Sequence, residues 1–124
     1  MSNAPRIQIA RVYGPDAAPD RRSGAGLLVD RVWPRGIRKA DLQPDDWIRE
    51  VAPSTALRKW FGHKPDRWDE FRSRYRAELN DNPDAVRRCL DWCRKGSVTL
   101  LYGAHDEARN QAVVLAEYLN QQLA

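Results

Sequence analysis

Val98-Thr99-Leu100-Leu101-Tyr102-Gly103-Ala104-His105-Asp106 is the stretch from which the fold can be read. Its first five residues form a short apolar run, the pattern of a strand buried on both faces. Gly103 to Asp106 reads as a turn. Beyond it Ala108, Ala112, Leu115, Ala116, Leu119 and Leu123 recur at helical spacing, which predicts a helix from about Glu107 to Leu123 with a wide apolar stripe. A buried strand passing through a short turn into an amphipathic helix is a unit of α/β architecture.

Upstream of this unit, Asp84 to Lys95 carries Val86, Cys89, Leu90 and Cys93 on one face and stops at Gly96, so it reads as a helix. Asn82-Pro83 separates it from another helix, with Pro65 in its first turn and Trp68, Phe71, Tyr75 and Leu79 as its apolar stripe. Ser54 is placed to cap a helix from Thr55 to Phe61, with Gly62 as the residue that ends it. Ile7 to Tyr13 alternates apolar and polar residues as a strand does, and Gly26 to Val32 holds the buried-strand run Leu27-Leu28-Val29. Trp47 to Val51 is a third candidate strand with imperfect alternation. Gly14 to Gly24 is too rich in breakers for a crossover helix. The expected fold is one α/β domain over residues 1–124, a small and mostly parallel sheet covered by helices in a three-layer, Rossmann-like sandwich. Residues 1–5 form a flexible lead.

A chain of 124 residues fits one domain and should bury roughly two-thirds of its unfolded surface without a metal or disulfide. The 42% hydrophobic and 31% charged residues are a globular composition. No apolar run is long enough to span a bilayer, and the N-terminus lacks the apolar core of a signal peptide. Cys89 and Cys93 lie one helical turn apart, which suits a reduced core pair better than a disulfide framework and fits a cytoplasmic protein. The excess of 21 Lys and Arg over 17 Asp and Glu gives +4. That charge could attract nucleic acid or a phosphorylated ligand. The signs are interspersed, however, from Arg67 through Asp69, Glu70, Arg72, Arg74 and Arg76 to Glu78, so no basic stripe emerges.

In open α/β sheets ligands bind outside the carboxyl ends of the strands. Those ends are Tyr13, Asp30 to Gly36, and Tyr102 to Asp106. In Asp30-Arg31-Val32-Trp33-Pro34-Arg35-Gly36 a Trp-Pro corner lies between two arginines, whose forked donors suit phosphate or carboxylate. Equally, Asp30 could pair with an arginine inside the fold, and Trp33 could be a core plug. Tyr102, His105, Asp106 and Asn110 make a second polar cluster at the predicted helix start, where free N–H groups favour an anion. His105 and Asp106 are the candidates for moving a proton, although Asp106 also fits a helix cap and His105 an ordinary loop histidine. Ser54 and Thr55 offer hydroxyls, with capping the competing role for Ser54. His63 follows Gly62 and is either a ligand contact or a linker residue. Cys89-x3-Cys93 has no matching second pair, so no metal site is expected, and no cofactor-binding motif is present.

The chain resembles the YeaO-like family, domain of unknown function 488. The resemblance rests on Val29 to Gly36, on Ala52-Pro53-Ser54-Thr55 running into Leu57-Arg58-Lys59-Trp60-Phe61-Gly62-His63, and on Trp68, Phe71, Arg74-Tyr75 and Glu78-Leu79. It continues through Thr99 to Tyr102, Asp106-Glu107, Asn110 and Ala112 to Leu115, and covers about residues 7 to 120 in order. Val32 stands where the family more often has another hydrophobic residue such as Leu, and Gly103 where it has Ala or Ser. The resemblance implies a small α/β fold and a polar cluster drawn from these motifs, and it carries no established activity. The expected function is binding of a small anionic ligand, either alone or with turnover of a nucleotide-like or sugar-phosphate-like molecule. Tyr13, Asp30, Arg31, Trp33, Arg35, Ser54, Thr55, His63, Tyr102 and Asn110 are the expected contacts. Two alternatives are a nucleic-acid module using the arginine surface, and an interaction domain docking through Trp60 to Trp68.

Overall fold

The computed structural model describes residues 7–124; the expected flexible lead, residues 1–5, lies outside the described residues. Four parallel strands, β1 (Ile7–Arg11), β2 (Ala25–Leu28), β3 (Asp46–Trp47) and β4 (Val98–Tyr102), form one sheet in the order β1-β4-β2-β3. Five α-helices accompany them: α1 (Lys39–Leu42), α2 (Thr55–Phe61), α3 (Trp68–Asn80), α4 (Pro83–Lys95) and α5 (Gln111–Leu123). The α/β sandwich expected from the sequence is found, with every strand pair parallel. Among the described residues no helix is long and apolar enough to cross a membrane.

The last strand is the central one. β4 lies between β1 and β2, all five of its residues are buried, and its apolar run follows from having a strand on each side and a layer on each face. Thr99, the polar member of the run, is satisfied by donating to the Ser23 carbonyl at 2.8 Å and accepting from the Ser23 N–H at 3.2 Å. Leu27, Val29, Val98, Leu100 and Tyr102 face the large core, which α2 to α5 complete. Ala10, Val12, Leu28 and Leu101 face a smaller core, closed by Ala17, by Leu42 of α1, and by half-buried Trp33, Ile37 and Trp47. The layers are therefore unequal: the four longer helices share one face, and loops with one short helix cover the other. β1-to-β2 and β2-to-β3 step across the sheet one way over the small-core face, and β3-to-β4 returns over the other. A single crossover handedness requires that arrangement.

Several boundaries differ from the sequence reading. The third strand is only two residues long, and Arg49–Val51 form a 3-10 turn. Ile48 and Val51, three residues apart, both enter the large core, a spacing that a helical turn satisfies and a strand does not. The first two strands end sooner than expected; Val12 and Val29 each donate one more bond, to Tyr102 and Leu101, before the chain leaves the sheet. The final helix begins at Gln111 rather than Glu107. Asn110 caps it, accepting from the Val113 N–H at 3.1 Å, while Asp106 accepts from the Ala108 and Arg109 N–H groups in a separate turn. Asn110, four positions beyond Asp106, is also of a type that caps helices, and it is the one that α5 uses. The cap and stop of α2 fall as expected: Ser54 accepts from Leu57 N–H at 3.1 Å and Gly62 is left-handed with φ of 53°.

Gly24 provides a test of how closely the sheet is packed. It has φ of 66°, and a Cβ there would stand 1.8 Å from the Ser97 carbonyl oxygen. Gly36 has φ of 78° but open space around the same position. Gly24→Ala should lose about 2–5 kcal/mol in denaturant unfolding, and Gly36→Ala only about 1–2 kcal/mol. Equal losses would contradict the close approach. Cys89 and Cys93 are free and buried, and burial pushes the Cys89 thiol up to about 12. Native protein should therefore resist thiol reagents that label both residues rapidly once it is unfolded.

Candidate functional site

At the carboxyl edge of the sheet the chain leaves β2 toward the small-core face and leaves β4 toward α5 on the large-core face. Diverging connections of this kind open a crevice between neighbouring strands. A cavity of about 450 Å³ lies here. Asp30, two residues past β2, closes its base. One carboxylate oxygen accepts from the Gly103 N–H at 2.8 Å and the other accepts from the Gln111 side-chain amide. The Asp30 carbonyl accepts from the Trp47 indole at 2.7 Å. A Cβ at residue 103 would sit 2.8 Å from the Asp30 carboxylate, so a larger residue there would require the carboxylate to shift. Burial raises the Asp30 carboxyl to about 6, against the opposing pull of the Gly103 and Gln111 hydrogen bonds and the Arg58 charge.

The two arginines of the Trp-Pro corner have separate uses. Arg31 lines the cavity, but its guanidinium donates to the Pro53 carbonyl at 3.1 Å and the Ala52 carbonyl at 3.0 Å. These bonds fix the approach to α2, together with Tyr75 donating to the Val51 carbonyl and Glu78 accepting from the Ser54 N–H and hydroxyl. Arg35 is exposed and absent from the cavity wall; its carbonyl accepts from the Tyr13 hydroxyl at 2.8 Å. Trp33 closes the corner by donating to the Ile37 carbonyl at 2.7 Å, with its ring edge-on to Trp47 at 5.4 Å.

Of the residues singled out in the sequence, Tyr13, Asp30, Arg31, Trp33, Thr55, His63 and Asn110 line the cavity. Asn110 is buried at its base and caps α5; Tyr13, Thr55 and His63 are exposed at its rim. His63 holds φ of 57°, unusual for a residue with a side chain, with its ring 6.1 Å from that of Phe61. Ser54, Tyr102, His105 and Asp106 do not line the cavity. Tyr102 is buried, which raises its phenol. His105 is exposed, with Nδ1 3.4 Å from Arg11 Nη2. The Ala108 and Arg109 N–H groups hold the Asp106 carboxyl below its ordinary value.

The wall also includes Arg58, Lys59, Gly103, Arg109 and Gln111, which the sequence reading did not select as contacts. Arg58 follows Thr55 by three residues on α2, so helical spacing puts it on the same side of the helix. Gln111 becomes visible only once Asn110 is recognised as the cap. Among the described residues no group of three or more His, Cys, Asp or Glu side chains is placed to hold a metal ion. All five tryptophans have partners within the fold. Trp60 lies under Arg74 at 4.4 Å and Arg67 at 5.2 Å, and Trp68 stacks on Phe71 at 5.7 Å. Trp92 donates to Asp46 at 3.0 Å.

The raised Asp30 pKa gives a linkage with a definite sign. The native state binds the proton more tightly than the unfolded chain, so stability is greatest below the ordinary value of 3.8 and falls as pH rises to about 6. The span corresponds to a loss on the order of 3 kcal/mol. Asp30→Asn can keep both bonds, with its carbonyl on Gly103 and its amide on a flipped Gln111. Denaturant unfolding from pH 4 to pH 7 should show the wild type losing stability relative to this variant. Parallel profiles would contradict a buried, titrating Asp30.

No solved structure gives a significant match to the chain. It is 44% identical over 113 residues to the uncharacterized protein YeaO of Escherichia coli, covering 91% of this chain and 96% of that one. It is 43% identical over 120 residues to the uncharacterized protein Rv3073c of Mycobacterium tuberculosis, covering 97% and 98% of the two chains. The family model DUF488-N3i, described as the inactive DUF488-N3 subclade, matches residues 6–124. The chain thus belongs to the YeaO-like DUF488 family, in its inactive N3 subclade.

Proposed function

We propose that the cleft binds a small phosphate- or carboxylate-bearing ligand and that this cytoplasmic protein acts by binding rather than by turnover. The observation that carries the reading is the rim of α2. Arg58 and Lys59 are adjacent, exposed, and on the cavity wall, and among the described residues neither makes a salt bridge. Arg109 adds a third cation at the rim, shared with Asp106 at 3.4 Å. The one acid on the wall is Asp30, against these three cations. Elsewhere several arginines are matched by acids, as in Arg38 with Asp41, Arg72 with Glu117, Arg74 with Glu70, and Arg88 with Asp46. Three cations grouped on one cleft wall favour a focused ligand site over a broad nucleic-acid face. His105 and Asp106 lie off the wall, which, with the family's description as inactive, favours binding over proton transfer.

A ligand at ten times its dissociation constant stabilises the fold by about 1.4 kcal/mol, or roughly 3–6 °C for a domain of this size. Thermal unfolding at constant ionic strength with inorganic phosphate, sugar phosphates, nucleoside phosphates and citrate should reveal such a rise for at least one. The Arg58→Ala, Lys59→Ala double variant should keep its unliganded melting temperature within about 2 °C, since both side chains are exposed. It should bind the same compound at least about tenfold more weakly. No shift in wild type, or an undiminished shift in the variant, would remove the assignment.

A further inference from the structure

We infer that the ligand of this cleft is a phosphorylated nitrogen heterocycle of nucleoside-monophosphate size, with ring or exocyclic N–H donors of the heterocycle on Asp30 and its phosphate at Arg58 and Lys59. This rests on the anion-binding reading above and adds the identity of the ligand's other end.

The first ground is the unused acceptor capacity of Asp30. A carboxylate offers about four lone-pair sites. The described structure fills one on each oxygen, from the Gly103 N–H and the Gln111 amide. No arginine or lysine is hydrogen-bonded to it, although Arg31 is the next residue; Arg31 donates to the Pro53 and Ala52 carbonyls instead. Arg58 reaches Asp30 only through its charge. A half-buried carboxylate on the wall of a cleft, with acceptor sites open, repels a bare anion and rewards a ligand that brings donors.

The second ground is the apolar and aromatic surface of the same cavity. The exposed large hydrophobic side chains of the described protein are Tyr13 and Val32, 45% and 62% exposed, and both line this cavity. Trp33 and Phe61 contribute further aromatic wall. Aromatic surface at a cleft mouth favours a planar ring over a sugar alone, because stacking makes use of the whole face. The cavity of about 450 Å³ lies within the range of small-ligand sites, roughly 300–1,000 Å³. A donor-bearing flat ring with a phosphate at the far end matches the acid, the aromatic wall and the cationic rim together.

The test is calorimetric titration of the full chain with inorganic phosphate, ribose 5-phosphate, and the adenosine, guanosine, cytidine and uridine 5′-monophosphates at constant ionic strength. At least one nucleoside monophosphate should bind about tenfold or more tightly than ribose 5-phosphate. Asp30→Asn should reduce that preference to near unity while leaving ribose 5-phosphate bound as well as before or better. Tyr13→Ala, at an exposed position that spares the fold, should weaken the nucleotide about fivefold or more and ribose 5-phosphate little. If ribose 5-phosphate binds as tightly as all four nucleotides, or if both variants keep the nucleotide preference, the heterocycle assignment is overturned and the anion site stands. If none of the six compounds binds, the phosphate site falls and this inference with it.

Discussion

The carboxylate of Asp30 is the contact around which the carboxyl edge of the sheet is organised. It ties the exit of β2 to the exit of β4 through the Gly103 N–H, and ties both to the first residue of α5 through Gln111. Residues 103 and 111, more than seventy positions beyond Asp30, thus meet at its side chain. A carboxylate beside a helix N-terminus is electrostatically favoured there. Burial nevertheless outweighs the hydrogen bonds and the Arg58 charge, and the carboxyl stays raised to about 6. A contact made only for cohesion would be better served by an uncharged amide, which needs no desolvation of charge. Its position on a cleft wall is therefore not explained by cohesion alone.

Much of the arginine content is structural. The Arg22 side chain is only 4% exposed, faces Asp45 at 3.6 Å, and donates to the Ala17, Leu42 and Gln43 carbonyls that the short connections leave unpaired. Arg31 does the same for Ala52 and Pro53, and Arg67 for the Trp60 carbonyl. A sheet whose small-core face is covered by loops rather than long helices leaves many carbonyls without helical partners, and a forked donor can satisfy two at once. The net charge of +4 therefore says little about partners; what matters is which cations lack an acid and where they lie.

The features legible in the sequence were those set by neighbouring residues. The five-residue run of β4, the Ser54 cap and the Gly62 stop of α2 are local patterns, and each has the bounds its residues suggest. The location of the cleft was also legible, since it follows from the parallel sheet itself. Strand order was not, because β4 enters between β1 and β2 only after the helices have returned the chain across the sheet. The partners of Asp30 were hidden for the same reason, as Gly103 and Gln111 lie 73 and 81 residues away. The Trp-Pro corner marked a segment that lines the cavity, but adjacency in sequence gave no means of seeing that Arg31 would bond to carbonyls and that Arg35 would lie off the wall.

The central claim, that Asp30 is a buried, titrating acid at the base of an anion site, is tested most directly by carbon-13 NMR of its carboxyl carbon through a pH titration, with and without inorganic phosphate at constant ionic strength. The expected midpoint is about 6 in the free protein, moving upward with phosphate because a second negative charge nearby disfavours the carboxylate. A midpoint near 3.8 that phosphate leaves unmoved would contradict both the burial of the acid and the placement of the anion beside it.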